Sequence, residues 1–553
     1  MNGTAQPRLL PPRYYLGNFQ RLLDTVVAQY EDLLTAEENG FLTAFSSASE
    51  ALQCLYVRLV SRRGPYFRAE ALHYPELGDL TDALEEGLAA ALLHRQEQPA
   101  FVELARILRK SELESIYASD LPVTTGWRKA ELIRNLMCTL DEAHLLARWR
   151  EWRGSDRWLV QPAHPDVIAL LRLLFFGNGY QDLTEFVVSD LGYTNHVNYP
   201  LDPAYRLFQS RAEIDEYLEL LAVKALAQSA IADSDRGTLV ALGRRLRSSA
   251  AGPVAEGLQD QLRLRLARQF ERDGFPDEAI ALYSLCKIHP ARQRLARLHK
   301  DRDPQAAFAL CNAIESDPWC EEERDFARRS LPAVSKRLGL KASPLPRDQF
   351  DEDLLTVSKT DSVECVAAAH YLQYWGEACY LENLLFKASF GLAFWEEIFL
   401  PAPGAFLNPF QAAPLDMYTP SFARRRRAPL ERRLAYLRKC DLGKTLLATY
   451  DLKQGATNSW IAWRAELRDT LYTALCTIPR EHWLAIWERM LFDPEANRNG
   501  FPDLLLMDSG RRYRLVEVKG PGDQLQANQR RWLRFFQSVG IPASVCRVRW
   551  ANA

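Results

Sequence analysis

Apolar residues recur with a helical spacing along most of the chain and change to a strand-like spacing only near its end. Across residues 142–350, Leu, Ala and Arg dominate one helical pattern after another. The stretches 265–290 and 294–314 echo each other when Ala279 is aligned with Ala307, as neighbouring units of a repeat array do. This part is therefore predicted to be an irregular helical-repeat region, whose expected role is that of a scaffold.

The segment 501–553 carries the strand-like pattern. Its first apolar run lies between Pro502 and an Asp-Ser-Gly turn, and the alternating run after that turn can pair with it as an antiparallel hairpin. A helix with an apolar inner face follows and is stopped by Gly540. The segment thus predicts a strand, a second strand, a helix and a last strand, at 503–507, 513–519, 522–540 and 544–550.

Two prolines within residues 341–349 predict a domain boundary ahead of this segment. Beyond it, residues 362–399 have the period of one long amphipathic helix, and a Pro-rich irregular stretch follows. The predicted fold class is mostly α and multidomain, with helical N-terminal and tetratricopeptide-like repeat regions before a C-terminal α/β domain. The predicted domains are a helical N-terminal region, a short helical element, the repeat region and the α/β domain, at 1–100, 101–141, 142–350 and 351–553.

Composition excludes several classes of protein. A chain of 553 residues should contain roughly three to five domains, and 47% apolar with 25% charged residues is the balance of an ordered globular protein. Ten cysteines without a C-x-x-C pair and nine histidines without a cluster argue against a zinc site and against a disulfide framework. The N-terminus lacks a signal-peptide pattern, and no run of about 18 uncharged apolar residues occurs, so we expect a cytoplasmic protein without a membrane partner.

A net charge of −2 would by itself discourage a nucleic-acid partner, because phosphates attract a positive surface. The distribution of charge changes this picture, since the segment 501–553 holds nine basic against four acidic residues. Near the N-terminus, four arginines alternate with aromatic residues, which suits a phosphate backbone with exposed bases but is also the pattern of a solvated helix edge. These candidates for DNA binding are Arg58, Arg62, Arg63 and Arg68.

Residues 101–141 contain two short helical patterns joined by an extended stretch that includes Thr124 and Thr125. The element is similar to a SAP-type helix-extended-helix module, which contacts DNA phosphates through the start of its second helix. Arg128 and Lys129 are the corresponding candidates here. An ordinary helical hairpin would show the same pattern.

The chemistry is concentrated on the predicted hairpin. In a strand of period two, Glu517 and Lys519 point to the same face, and Asp503 can lie beside them across the hairpin. Asp503, Glu517 and the carbonyl of Val518 offer hard oxygen ligands to Mg²⁺ or Mn²⁺, which would hold a scissile phosphate and lower the pKa of an attacking water. Lys519 can orient that water or neutralise charge on the phosphate. These residues predict a metal-dependent deoxyribonuclease.

The pattern P-D-x(13)-E-V-K at 502–519 is the core pattern of PD-(D/E)-x-K nucleases, with a restriction-endonuclease-like fold. A bare Asp followed by Glu-x-Lys also occurs by chance, as solvent-facing strand residues or a surface ion pair. Its setting strengthens the interpretation, because the Pro-Asp opens an apolar strand and a helix bearing Gln529 follows the hairpin.

The stretch RLVEVKGPGDQLQANQRRWL at 514–533 resembles the VRR-NUC branch of these nucleases. Upstream, ENLLFKASFGLAFW and IFLPAPGAFLNPFQAAPLDMYTPSF resemble the Fanconi-associated nuclease family, and a weaker likeness extends to the N-terminal basic run, the SAP-like element and the repeats. A shorter, bacterial-type member is implied, which would be associated with the nucleoid when on DNA. The resemblance implies cleavage of branched or flapped double-stranded DNA, by 5′-flap endonuclease and 5′-to-3′ exonuclease action, in interstrand crosslink repair.

The same resemblance assigns further site residues. Glu382, on a helix ahead of the core, is implied as an additional metal ligand that could share a second ion with Asp503, and Gln529 as a group that positions the carboxylate and phosphate. Some family members hold a terminal 5′ phosphate in a basic pocket. Asn528 and Glu495 stand where basic residues are expected, which puts that pocket in doubt and leaves Arg498 as the nearby DNA-binding candidate.

Two other functions remain open at this stage. A Holliday-junction resolvase or restriction-type nuclease would use the same metal site, since a fold does not fix the substrate. A DNA-binding repeat scaffold with a silent nuclease remnant is the alternative without catalysis, which the intact Asp503, Glu517 and Lys519 oppose. The sequence leaves protein partners unknown and both a monomer and a homodimer open.

Overall fold

The computed structural model describes residues 11–120, 126–154, 157–178, 181, 195–250, 252–341 and 345–551. The chain forms two compact units, the first comprising Met1–Thr194 with Leu201–Pro203 and the second comprising Asn195–Pro200 with Ala204–Ala553. No helix in these described ranges is both long and apolar enough to cross a membrane. The predicted fold class, mostly α and multidomain with a C-terminal α/β domain, is confirmed.

The first unit is helical with one small sheet. Its helices are α1 (Tyr14–Tyr30), α2 (Ala36–Ser47), α3 (Glu50–Val60), α4 (Thr81–Ala89), α5 (Phe101–Ile107), α6 (Lys110–Ile116), α7 (Lys129–Thr139), α8 (Glu142–Arg153) and α9 (Pro165–Phe176). Its strands are β1 (Phe67–Arg68), β2 (Leu93–Arg95) and β3 (Leu159–Pro162). The strands form an antiparallel sheet in the order β1-β3-β2. Strands of two to four residues leave too short an alternation to be recognised in the sequence, which explains why this sheet was not predicted.

A helical array begins the second unit. Its helices are α10 (Arg211–Ala232), α11 (Arg236–Arg245), α12 (Pro253–Arg272), α13 (Pro276–Tyr283), α14 (Ala291–Arg302), α15 (Pro304–Ser316) and α16 (Glu321–Arg337). The two echoing stretches of the sequence correspond to the helix pairs α12–α13 and α14–α15. Ala279 in α13 and Ala307 in α15 are both fully buried, so a small side chain lets each helix approach its neighbours closely.

The C-terminal α/β domain follows with one five-stranded sheet. Its strands are β4 (Asp351–Val357), β5 (Glu377–Tyr380), β6 (Leu504–Met507), β7 (Tyr513–Lys519) and β8 (Ala543–Trp550). Its helices are α17 (Val363–Tyr371), α18 (Leu384–Ala393), α19 (Trp395–Ile398), α20 (Ser421–Arg425), α21 (Arg427–Leu437), α22 (Leu442–Lys453), α23 (Leu467–Thr477), α24 (Arg480–Phe492), α25 (Pro494–Asn497) and α26 (Ala527–Val539). The strand order is β4-β8-β7-β6-β5, in which β8 runs parallel to both β4 and β7. The predicted hairpin, helix and last strand are confirmed as β6, β7, α26 and β8.

The single long helix predicted at 362–399 is wrong. The structure instead has α17, then β5, then α18 and α19, and β5 pairs antiparallel with β6 at the edge of the sheet. The first helix ends at Tyr371, ahead of Gly376, and pairing with a neighbouring strand outweighs a local helical period at 377–380. β4 was also missed, because its acidic first half hides the strand alternation.

Helix α17 packs on one face of the sheet, against the strands of the hairpin. Ala367 and Tyr371 are buried against apolar residues of β6 and β7, and Val363 at the start of the helix packs against the same cluster. A Cβ built on Gly520 would lie 3.2 Å from Cγ1 of Val363. The first turn of α17 therefore lies beside the end of β7, close to Lys519.

Candidate active site

The hairpin register places the three predicted catalytic residues at one end of the sheet. Leu504 pairs with Val516 in the antiparallel ladder, so Asp503, one residue earlier, lies opposite Glu517. Glu517 and Lys519 share a face of β7 because side chains alternate along a strand. The backbone therefore brings the side chains of Asp503, Glu517 and Lys519 together, as the sequence predicts.

Hydrogen bonds fix the positions of both carboxylates. The backbone N–H of Val518 donates to Oδ2 of Asp503 over 2.8 Å. Oε1 of Glu517 accepts from Nζ of Lys519 at 2.9 Å and from Nε2 of Gln529 at 2.6 Å. The other end of the Gln529 amide is held as well, since its Oε1 accepts from the N–H of Gln526 at the start of α26. Gln529 is thus fixed between a helix N-terminus and a carboxylate.

The site concentrates negative charge in a buried place. Glu517 is 1% exposed, and its Oε2 is buried without a hydrogen-bond partner among the described residues. Burial, and then the neighbouring Asp503, raise the pKa of Glu517 to about 7, although Lys519 opposes the rise. Burial likewise raises the pKa of Asp503 to about 6, against the lowering effect of the Val518 N–H and Lys519. A cation placed here would restore the ionised form of both groups.

The donors fit a hard divalent cation. Carboxylate and carbonyl oxygens are the ligands that Mg²⁺ and Mn²⁺ take, and Oε2 of Glu517 is a buried oxygen without a hydrogen-bond partner among the described residues. Within the ranges that the structure describes, no three His, Cys, Asp or Glu side chains converge closely enough to hold an ion by themselves. An ion here would therefore depend on Asp503, Glu517 and a main-chain carbonyl, for which Val518 is the candidate.

Glu382 lies beside the site but not where it was predicted. It is not on a helix: it follows β5 and precedes α18, with a left-handed φ of 43°. Such a backbone is uncommon for a residue other than glycine and is held here by the N–H groups of Leu381 and Glu382, which donate to the carbonyl of Asp503 at 2.9 and 3.3 Å. The hydroxyl of Tyr380 donates to Oε1 of Glu382 over 2.6 Å. These hydrogen bonds hold the backbone of Glu382 next to Asp503.

Glu364 is a fourth acidic residue at the site, and the sequence interpretation missed it. It lies in the first turn of α17, the helix whose start contacts Gly520. Its negative charge contributes to the raised pKa of both Asp503 and Glu517. The sequence does contain a signal for a helix start here, because Ser362 can cap a helix whose first turn includes Glu364. That signal points to the site only when α17 is recognised as a separate helix, which β5 divides from α18.

The segment before Asp503 packs against α18 and α26. Phe501 stacks between Phe386 and Trp532, with ring centroids 4.6 and 4.1 Å away. Gly500 has a φ of 89°, and a Cβ there would lie 2.7 Å from the side chain of Asn528, so glycine is required on both grounds. This packing holds the Pro-Asp step in place relative to the hairpin.

Arg498 lies on the same segment. Its guanidinium stacks over Tyr418 at 4.4 Å from the ring centroid and contacts Glu495 at 3.3 Å. Burial, followed by repulsion from Arg498, lowers the pKa of Lys387 on α18. Two cations therefore lie close together here, although Asn528 and Glu495 occupy the positions where basic residues were expected.

The basic residues of the first unit differ in how they are engaged. Arg58 is bound to Glu76, and Arg68 is bound to both oxygens of Glu112 at 2.8 Å. Arg62 donates to the hydroxyl of Tyr74 at 3.1 Å and stacks over Phe67, while its neighbour Arg63 is exposed. Arg62 and Arg63 thus keep the guanidinium donors that a phosphate would need, whereas Arg58 and Arg68 serve structural ion pairs.

The predicted SAP-like element is only partly described. Thr124 and Thr125 lie outside the described residues. Arg128 precedes α7 and is exposed, whereas Nζ of Lys129 donates to the carbonyl of Arg106 at 2.7 Å and burial lowers the pKa of Lys129. Arg128 is the more available of the two for a DNA phosphate.

Comparison with known families finds two matching domains. Residues 13–94 match the family described as FAN1, HTH domain, and residues 439–550 match the VRR-NUC domain. The second match contains Asp503, Glu517 and Lys519, and the first contains the N-terminal basic run.

Relatives are similar along almost the whole chain. The Fanconi-associated nuclease 1 homolog of Pseudomonas aeruginosa is 34% identical over 562 residues, covering 98% of this chain and 97% of that protein. The human Fanconi-associated nuclease 1 is 24% identical, covering 99% of this chain and 63% of that protein. A crystal structure of paFAN1 bound to DNA with a 2-nucleotide 5′ flap and a gap superposes with a TM-score of 0.81 at 33% identity, covering 98% of this chain and 99% of that one.

Proposed function

The chain belongs to the Fanconi-associated nuclease family, and from this membership we propose that it cleaves branched DNA near a 5′ flap, using Mg²⁺ or Mn²⁺ held by Asp503, Glu517 and the carbonyl of Val518. It is a structure-selective DNA nuclease, and branched DNA is its partner. VRR-NUC nucleases generally depend on a divalent cation. The choice of metal and the roles of single residues are our proposals.

One observation carries the proposal. Two carboxylates with pKa values raised to about 6 and about 7 lie opposite each other across β6 and β7, with the amine of Lys519 at 2.9 Å from one of them. Burying two acidic groups side by side is unfavourable in the isolated chain and becomes favourable when a divalent cation lies between them. A stability role alone would not account for the buried, unpartnered Oε2 of Glu517.

Each residue has a distinct role in this scheme. Asp503 and Glu517 bind the cation, which when bound supplies positive charge to the scissile phosphate and makes a water more acidic. Lys519 would orient the attacking water or neutralise the negative charge that grows on the phosphate oxygens. Gln529 keeps Oε1 of Glu517 in place, so that Oε2 remains available. Glu382 is the candidate for a second cation shared with Asp503, provided that its carboxylate turns away from Tyr380.

Contacts with the DNA duplex are assigned to residues away from this centre. Arg62, Arg63 and Arg128 carry available donors in the first unit, and Arg498 carries a cation near the metal-binding residues. The proposed organisation is an N-terminal DNA-binding region, a SAP-like element, a tetratricopeptide-like array and a nuclease domain, with the boundaries predicted from the sequence. The expected setting is interstrand crosslink repair in a bacterial cytoplasm, supported by the bacterial relative of nearly the same length.

The test uses purified full-length protein and labelled DNAs with a 5′ flap, a nick, a Holliday junction or a single strand. We expect metal-dependent cleavage that is fastest on the 5′ flap. The Asp503→Asn variant should lose cleavage and Mn²⁺ binding, measured by calorimetry, while retaining flap binding. Asp351→Asn, which changes an exposed carboxylate at the start of β4, is the matched control and should behave as the parent.

Three results would decide against parts of the proposal. Cleavage by Asp503→Asn at the parental rate would remove the assignment of the metal site. Symmetric cutting of the junction by a dimer, faster than flap cleavage, would favour the resolvase alternative. Flap binding without cleavage by the parent in either metal would favour the scaffold.

A further inference from the structure

A large arginine-lined cleft lies within the second unit, between the last helix of the repeat array and the nuclease domain. It is formed by α16, residues 345–348 and α26, and its volume is about 420 Å³. We call it the α16–α26 cleft. Five arginines line it: Arg328 and Arg329 from α16, and Arg530, Arg531 and Arg534 from α26.

Three carboxylates line the cleft as well, and each of them already forms an ion pair with a basic side chain. Asp325 is held by Arg531 at 3.5 Å and Arg534 at 3.2 Å. Asp348 is held by Arg534 at 3.2 Å and more loosely by Arg530 at 3.8 Å. The third, Glu322, pairs with His289 at 3.0 Å.

Two guanidinium groups remain without a carboxylate. Among the described residues no ion pair involves Arg328 or Arg329, and Arg329 uses only its Nε, which donates to the carbonyl of Asp325 at 3.1 Å. Burial, then repulsion from Arg294 and to a smaller extent from Arg329, lower the pKa of Arg297 on α14, while Glu271 opposes the shift. The cleft therefore has an excess of positive charge that its own acidic residues do not neutralise.

Phosphate is the chemistry that fits this surface. Guanidinium groups bind phosphate through paired N–H donors, and a site with several of them can take a group with two or three oxygens. A volume of about 420 Å³ is in the range of small-ligand sites and is larger than a single phosphate needs. Leu345 and Pro346 add an apolar wall, against which a sugar or a base can pack.

The cleft is separate from the metal site although both use α26. Successive residues of a helix are turned by about 100°, so Gln529 faces Glu517 while Ala527, Arg530 and Arg534 face the cleft. The nuclease centre therefore does not account for these arginines. α26 is a rigid element shared by the two places.

We propose that the α16–α26 cleft is a second phosphate-binding site, in which Arg328, Arg329 and Arg530 hold the phosphate of a nucleotide whose sugar or base packs on Leu345 and Pro346. The nucleotide comes either from a DNA strand beyond the cleavage point or from free mononucleotide. The binding does not depend on the proposed metal site, and the test therefore uses the Asp503→Asn protein.

The test compares Arg328→Ala/Arg329→Ala with Lys336→Ala, a control that removes an exposed cation from the same helix outside the cleft. In one arm, flap-DNA affinity is measured over a range of salt concentrations. Each phosphate contact contributes about 0.7 to 0.9 to the slope of log affinity against log salt. If the site holds a DNA strand, the slope for the double variant should be smaller by about the contribution of one phosphate contact, and its flap-DNA affinity at low salt should fall roughly tenfold. The affinity of the control should stay within about twofold of the parent.

In the second arm, binding of AMP and of inorganic phosphate is measured by calorimetry. A site for a free mononucleotide predicts saturable AMP binding, weaker phosphate binding, and loss of both in the double variant but not in the control. Arg530→Gln, which keeps a polar side chain on α26, should reproduce the loss in whichever arm is positive. If the folded double variant matches Lys336→Ala in both arms, the proposal is wrong.

Discussion

The side-chain amide of Gln529 donates to Oε1 of Glu517 over 2.6 Å and thereby joins α26 to the central strand of the sheet. Its oxygen is held by the N–H of Gln526, so the amide has no freedom to rotate. Because Lys519 contacts the same oxygen of Glu517, only Oε2 faces away from the protein's own donors. A glutamine therefore determines which oxygen of the carboxylate is left for a cation.

Replacement of Gln529 tests this positioning role. Gln529→Ala should lower Mn²⁺ affinity or activity by about 10- to 100-fold, as expected for a residue that orients a metal ligand. Gln529→Glu should be worse, because a second carboxylate would repel Glu517. The measurement is cleavage of a 5′ flap against Mn²⁺ concentration. An unchanged metal dependence in Gln529→Ala would show that Lys519 alone fixes Glu517.

The raised carboxyl pKa values predict opposite effects of pH on stability and activity. In the metal-free protein Asp503 and Glu517 hold protons up to about pH 6 and 7, whereas the unfolded chain releases them near 4. Between about pH 4 and pH 7 the folded state binds more protons than the unfolded state. The contribution of these two groups to the free energy of unfolding is therefore largest at the acidic end of this range and is lost as the pH rises to about 7. Activity should rise over the same range, because the cation needs both groups ionised.

Thermal unfolding without metal and flap cleavage with saturating Mn²⁺, both from pH 5 to 8, check this prediction. Asp503→Asn/Glu517→Gln should abolish most of the site's contribution to the pH dependence of stability. Added Mn²⁺ should stabilise the parent more at pH 7.5 than at pH 5.5. Equal stabilisation at the two pH values would contradict the assignment of these groups as ligands.

Glu364 should affect the pH profile of the nuclease. Its charge contributes to the raised pKa of both Asp503 and Glu517, so Glu364→Gln should move the rising part of the pH–activity curve to lower pH. Glu377→Gln, an exposed change on β5, is the control and should leave the curve in place. A lower rate with no displacement of the curve would indicate a different role for Glu364.

Tyr380→Phe tests whether Glu382 takes part in metal binding. The change removes the hydroxyl that holds Oε1 of Glu382 and keeps the ring on β5. If Glu382 binds a second cation, the freed carboxylate should alter the Mn²⁺ dependence of cleavage about tenfold at limiting metal, with little change in flap affinity. Identical Mn²⁺ titrations of variant and parent would leave Glu382 outside the reaction.

Charge reversal in the first unit tests DNA contact there. Arg62→Glu/Arg63→Glu should weaken flap binding and flatten its salt dependence by about one to two units of slope. Arg21→Glu on α1, a change of the same kind in this unit, serves as the comparison. Binding that is unaltered in both proteins would leave the N-terminal region as a scaffold.

The nuclease core could be predicted from the sequence because its signals are local. Asp503, Glu517 and Lys519 lie within one hairpin, whose register follows from alternation and a turn. Glu382 and Glu364 depend instead on pairing between β5 and β6, which are more than 120 residues apart and carry no local signal of partnership. The long helix predicted at 362–399 hid that strand, and with it the acidic residue in the first turn of α17.

The basic residues show a second limit of sequence interpretation. Arg58 and Arg62 are equivalent in an Arg-aromatic pattern, yet one is bound to Glu76 and the other keeps its donors near Tyr74. Partners that are distant in sequence determine which cation is available. The α16–α26 cleft could not be predicted for the same reason, since Arg328 and Arg530 belong to helices that are separated in sequence by most of the nuclease domain.

The position of β8 has a consequence for synthesis. This strand lies between β4 and β7, so on the ribosome β4 stays unpaired and β7, which carries Glu517, keeps an open edge until residue 550 has emerged. Messages cut short before residue 543 would yield a protein with two exposed strand edges, a target for aggregation or proteolysis. Premature stops late in the reading frame should therefore give protein that is cleared from the cell, with no accumulation of an inactive DNA-binding competitor.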